Sequence, residues 1–68
     1  MSMVSSDPDV LSGALVFKST RVPVRNLFDY LRAGDSVENF LDDFPTVSFE
    51  QVRHVLQSAE TALEREAA

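Results

Sequence analysis

The chain has no cysteine and no tryptophan, and only two glycines and one histidine. Without cysteine, neither a disulfide framework nor a thiolate metal site can brace it, and nothing argues for an oxidising compartment. No run approaches the roughly 18 apolar residues of a membrane span, and residues 1–10 have neither the basic start nor the apolar core of a signal peptide. The expectation is a soluble, cytoplasmic protein. Gly13 and Gly34 stand alone, so no glycine-rich phosphate loop is present. A basic excess is also missing: six Lys and Arg against eleven Asp and Glu leave a formal charge of −5, which speaks against nucleic acid and for a chain that stays soluble or meets a basic partner. Sixty-eight residues make one domain at most. A domain of that size buries only about 60% of the surface its unfolded chain exposes, so partner subunits are the remaining route to added stability.

What is present is organised around residues 33–48, a short helical stretch with a marked stop on either side. Gly34 can take the left-handed conformation that closes a preceding helix, and Asp35 or Ser36 can accept the first N–H groups of the next one. Pro45 disfavours a helical Phe44, which ends the second helix near Asp43. Ser48-Phe49-Glu50-Gln51 then fits a capping box, with Val47 placed to staple onto Val52.

Along the chain, residues 1–9 read as a loose polar leader, and Asp9 could cap a single turn over Val10 and Leu11 before Gly13. Leu15 to Lys18 and Arg21 to Val24 are β-prone runs separated by Ser19-Thr20, which predicts a small β-ribbon over 15–24. Pro23 cannot donate to a ladder, so its strand must be an edge. The unpaired edge of the other strand invites a second copy, and a dimer interface through Leu15, Val16, Phe17, Val22 and Val24 is expected. Helix one runs from Arg25 to Arg32 with Leu27, Phe28 and Leu31 on one face, and Val24 leads into it. Helix two covers Val37 to Asp43 and offers Val37, Phe40 and Leu41, with Phe44 as a plug. Helix three runs from Phe49 towards Glu64, with Val52, Val55, Leu56, Ala59, Ala62 and Leu63 as its buried stripe. The domain proper is expected over 10–60, and 61–68 extends helix three beyond what packing needs.

No catalytic constellation can be assembled. His54 has no cysteine or second histidine with which to share a metal, so it reads as a surface residue. Asp42 and Asp43 are neighbours on a helix and point about 100° apart, which makes them a solvated helix end. The expected protein is not an enzyme and needs no cofactor or metal. Three short helices with a tight corner are instead compatible with a helix-turn-helix, the last helix entering a major groove while an N-terminal ribbon grips phosphate. Four of the six basic residues lie between Lys18 and Arg32, where Asp29 is the only acid. On that reading Lys18, Arg21 and Arg25 clamp phosphates, and Gln51, Arg53, His54 and Gln57 face base edges. Glu50 and the acidic tail oppose it.

The linked run Val16-Phe17-Lys18-Ser19-Thr20-Arg21-Val22-Pro23-Val24, Leu31-Arg32-Ala33-Gly34-Asp35-Ser36-Val37-Glu38, Phe40-Leu41-Asp42-Asp43-Phe44-Pro45 and Val47-Ser48 resembles the domain of unknown function 433 family of small prokaryotic proteins. The resemblance covers about Asp7 to Ala59. It implies a mostly α, three-helix, helix-turn-helix-like (homeodomain-like) domain with a short N-terminal β-ribbon. It also implies a type II antitoxin that neutralises a PIN-like ribonuclease toxin by direct binding, with repression of its own operon by a DNA-binding homodimer as a further role. The family usually has glycine before the Thr-Arg pair; Ser19 stands there in this chain, so the turn need not keep the family's geometry. The resemblance does not specify which residues meet the toxin. Charge suggests the helix-three tail, with Glu60, Glu64 and Glu66 occupying the groove meant for RNA and Arg53 and Arg65 available to carboxylates. The alternative is a small dimeric protein–protein interaction module that binds no nucleic acid.

Overall fold

A computed structural model describes residues 3–6 and 14–67. Strand β1 (Val4–Ser6) pairs antiparallel with β2 (Leu15–Phe17), and helices α1 (Val24–Arg32), α2 (Val37–Asp43) and α3 (Phe49–Ala67) follow. The architecture is mostly α with a short N-terminal ribbon, as expected. The ribbon's composition differs from the expectation. Val4 pairs with Phe17, Ser5 with Val16 and Ser6 with Leu15, so part of the stretch read as a loose leader is a strand. The run from Arg21 is no full second strand: it touches β2 through a Val16–Pro23 bridge and a Phe17 N–H to Val22 carbonyl bond of 3.0 Å, then turns into α1 at Val24. Pro23 lacks the donor to continue the ladder, and its φ of −63° already suits a helix start. The turn expected over Val10 and Leu11 lies outside the described residues.

The link from β2 towards α1 depends on two local devices. Thr20 N–H bonds to the Phe17 carbonyl at 3.0 Å, which closes a β-turn whose third residue, Ser19, has φ +64°. The Thr20 hydroxyl donates to the same carbonyl at 2.7 Å and accepts Val22 N–H at 3.0 Å. A side chain thus does what a longer ladder would otherwise do. At the α1–α2 corner, Asp35 N–H reaches the Tyr30 carbonyl and Gly34 N–H the Leu31 carbonyl, the two bonds of a Schellman motif, with Gly34 at φ +86°. Ser36 then caps α2 by accepting Asn39 N–H at 3.1 Å.

Phe17, Leu27, Phe40, Val47, Val52 and Val55 form one buried cluster, so every element from β2 onward contributes to a single core. Phe40 is its hub. Its ring lies 5.9 Å from Phe17, 5.4 Å edge-on to Tyr30 and 5.0 Å from Phe44. Three expected core positions move. Leu31 sits at the surface, and Tyr30 takes its place because the Phe40 and Phe44 rings accept its edge. On α3, Ala62 and Leu63 are exposed: α1 and α2 are short, and α3 outruns them. Asp43, read as a solvated end, accepts the Tyr30 hydroxyl and ties α1 to the end of α2. That bond holds the Tyr30 phenol above its ordinary range.

Two measurements follow from these contacts. Ser19→Gly removes left-handed strain and should stabilise the fold by about 0.5–1 kcal/mol, whereas Gly34→Ala should cost about 1 kcal/mol through backbone strain. No atom lies within 4 Å of a Cβ at Gly34, so sterics add nothing to that cost, and thermal unfolding of both variants checks the opposite signs. Tyr30 is the sole tyrosine, so phenolate absorbance titrates it alone. Its midpoint should lie above about 10 and fall in Asp43→Asn. The native state favours the neutral phenol, so this contribution is full below the unfolded pKa and is lost as pH rises through the folded one.

Candidate nucleic-acid and protein interfaces

The structure separates the expected site residues into three groups. Lys18, Arg21 and Arg25 are exposed on the β2 turn and the first turn of α1, and none has an ion-pair partner among the described residues. That first turn holds no acid and no side-chain cap. Beside it, Ser19, Arg21, Pro23, Asn26, Phe44 and Thr46 line an open groove between the turn and the α2–α3 corner. The groove combines one guanidinium with neutral hydrogen-bonding groups on a partly apolar floor. Such a set suits an anionic backbone better than a cation.

The residues expected to face base edges are not equally available. Gln51 is committed at both ends of its amide. Its oxygen accepts Ser48 N–H at 3.0 Å, while Ser48 Oγ accepts Gln51 N–H at 3.1 Å, completing the capping box. Its nitrogen donates to the Lys18 carbonyl at 3.0 Å and reaches the Met3 carbonyl at 3.5 Å. One side chain therefore caps α3 and fastens it to the ribbon. Arg53 pairs with Glu50 at 2.8 Å, which also raises its pKa, but both side chains are more than 60% exposed and the pair is weakly held. His54 and Gln57 lie on the open side of α3 with Thr61 and Arg65. His54 also borders a small apolar cleft formed with Val4, Leu15, Val24 and Val55.

The third group is the α3 overhang. Glu60, Glu64, Arg65 and Glu66 are all exposed, and Leu63 between them is 65% exposed. These side chains stand clear of the core on a helix that remains regular to Ala67.

Most of the residues expected at a dimer interface are engaged within the protomer. Val16 and Phe17 are 1% and 0% exposed inside their own protomer, and Val22 and Val24 are half-buried against the same core. Only Leu15 is open. The β2 edge offered to a second copy is occupied by β1 on one side and by Val22-Pro23 on the other. Among the described residues no polar side chain is buried and no three His, Cys, Asp or Glu cluster to hold a metal. No helix among them is long and apolar enough to cross a membrane.

Sequence reasoning missed the structural roles of Thr20 and Gln51. A signal existed for Thr20, whose hydroxyl two residues before a backbone N–H is a common turn brace. For Gln51 the capping half was legible, but nothing local announced the bond to Lys18. Gln51→Ala should therefore lower stability by about 1–2 kcal/mol, measured by chemical denaturation, because the variant loses the side-chain half of the capping box and the long-range bond, while the Ser48 cap remains.

Among known proteins, the chain is 41% identical over 51 residues to the uncharacterized protein y4eO of Sinorhizobium fredii. The match covers 75% of this chain and 23% of that relative, so the chain spans about a quarter of the relative's length. No solved structure matches. Residues 4–59, from β1 to the last packed turn of α3, match the family described as protein of unknown function (DUF433), and the chain belongs to that family.

Proposed function

We propose that the protein is a type II antitoxin, a binding protein and not a catalyst. On this reading it silences a PIN-like ribonuclease in the cytoplasm by direct contact and represses its own operon. The observation that carries the reading is the segregation of charge onto two separate surfaces. Lys18, Arg21 and Arg25 project without acidic partners among the described residues at one end of the domain, and Glu60, Glu64 and Glu66 project from a regular helix beyond the core at the other. Exposed unpaired cations are what phosphate contact requires, and an acidic helix can occupy the basic groove in which a nuclease holds RNA. The family resemblance supplies the type of partner, and charge supplies the mechanism.

A second reading has its own support. With Gln51 used internally and Arg53 paired to Glu50, α3 keeps His54 and Gln57 as its expected base-facing groups, and the chain as a whole carries −5. That favours a protein–protein interaction module that never meets DNA.

Two assays separate the readings. Replacing Glu60, Glu64 and Glu66 together with Lys should abolish protection against a PIN-like nuclease partner in a co-expression growth assay, and full protection would rule out the acidic-helix mechanism. Titrating salt against binding to the gene's own promoter should show affinity falling steeply. Arg21→Ala with Arg25→Ala should reduce the log–log slope by about 0.9 for each phosphate that is no longer neutralised. No promoter binding by the protein, alone or with its nuclease, selects the interaction-module reading.

A further inference from the structure

With both edges of β2 occupied, the two most exposed large apolar side chains among the described residues, Leu63 and Phe49, lie on α3. Phe49 is 58% exposed, Leu63 is 65% exposed, and Leu56 between them is half-buried. The three recur every seven residues, so each lies only about 20° around the helix from the last, and together they form a straight stripe along one side of α3. Seven-residue apolar spacing keeps one side of a helix towards a neighbouring helix, and here Leu56, packed at its base on the core, is flanked by the exposed Phe49 and Leu63. Four residues after Phe49 comes Arg53, and four after Leu56 comes Glu60, so one base and one acid follow each other along the same flank of the stripe.

We propose that this stripe is the homodimer interface and that the occupant is α3 of a second copy, packed antiparallel about a two-fold axis at Leu56. In that arrangement Leu56 meets the partner's Leu56, and Phe49 meets the partner's Leu63, once at each end. Arg53 falls opposite the partner's Glu60, and the symmetry repeats the pair. A parallel arrangement would carry the Arg53–Glu60 flanks of the two helices to opposite sides of the seam and form neither pair, so only the antiparallel one uses the order of charges. The Arg53–Glu50 contact does not compete strongly, because an exposed pair is weakly held and Arg53 can serve both carboxylates. His54, Gln57, Thr61 and Arg65 lie on the other side of α3 and stay open. Dimerisation through α3 does not depend on what the protein binds, so it stands or falls separately from the antitoxin reading.

Sedimentation equilibrium of the full chain without ligand, over a wide dilution series, tests the proposal. The wild type should reach the mass of two chains. Leu63→Glu should yield a monomer with unchanged helix content, because the site is already exposed. Arg53→Glu and Glu60→Arg should each weaken the dimer about tenfold through the like-charge pairs they create, and the double variant R53E/E60R should recover it. A wild type that stays monomeric throughout overturns the proposal. So does a dimer that the single variants leave intact, or a double variant no tighter than the singles; the charge variants decide the matter even if Leu63→Glu unfolds.

Discussion

Phe40 holds this fold together because its ring is the point at which elements distant in sequence meet. It packs on Phe17 from the ribbon, Tyr30 from α1 and Phe44 at the end of its own helix, and it shares a buried cluster with Leu27, Val52 and Val55. A three-residue strand pair and helices of nine and seven residues are too short to be stable alone in water. Each persists because it closes one side of the same apolar centre. Gln51 adds a polar tie at the surface beside that centre, from the first turn of α3 to the end of the ribbon.

That dependence fixes where function can sit. The core consumes Val16 and Phe17 and leaves the cations of the turn and of α1 facing outward. It also fixes how much of α3 is packed: Val52 and Val55 are buried, Leu56 and Ala59 are half-buried, and from Glu60 onward every described side chain is exposed. The third helix therefore serves at once as a wall of the core and as an external arm. One small domain thus carries a basic end, an acidic arm and an apolar stripe that runs into that arm.

Much of this was legible locally. Gly34, Ser36 and Ser48 sit at the positions where Schellman and capping geometry demand them, and the boundaries of α2 and the start of α3 follow from them. Long-range pairing was not legible. The strand that pairs with β2 is three residues of polar-looking sequence, Val4-Ser5-Ser6, which carry little β signal and are ordered by backbone bonds to a distant run. Tyr30 and Leu31 both flank the inward direction of α1, and the choice between them rests on rings and a carboxylate supplied by α2. Among the candidate site residues the charged side chains are all exposed, which follows from charge itself. The engagement of Gln51 and the burial of Val16 and Phe17 depend on the tertiary fold and could not be read from spacing.

Native-state hydrogen exchange tests most directly whether the ribbon and the helices share one core. The amides of Phe17, Phe40 and Val52 bond to the carbonyls of Val22, Ser36 and Ser48, in three different parts of the chain. They should exchange through a common opening at the free energy of global unfolding, well above amides beyond Glu60 on the overhang. Exchange of the Phe17 amide at a much lower free energy than those of Phe40 and Val52 would mean that the ribbon opens independently, and the shared core would be refuted.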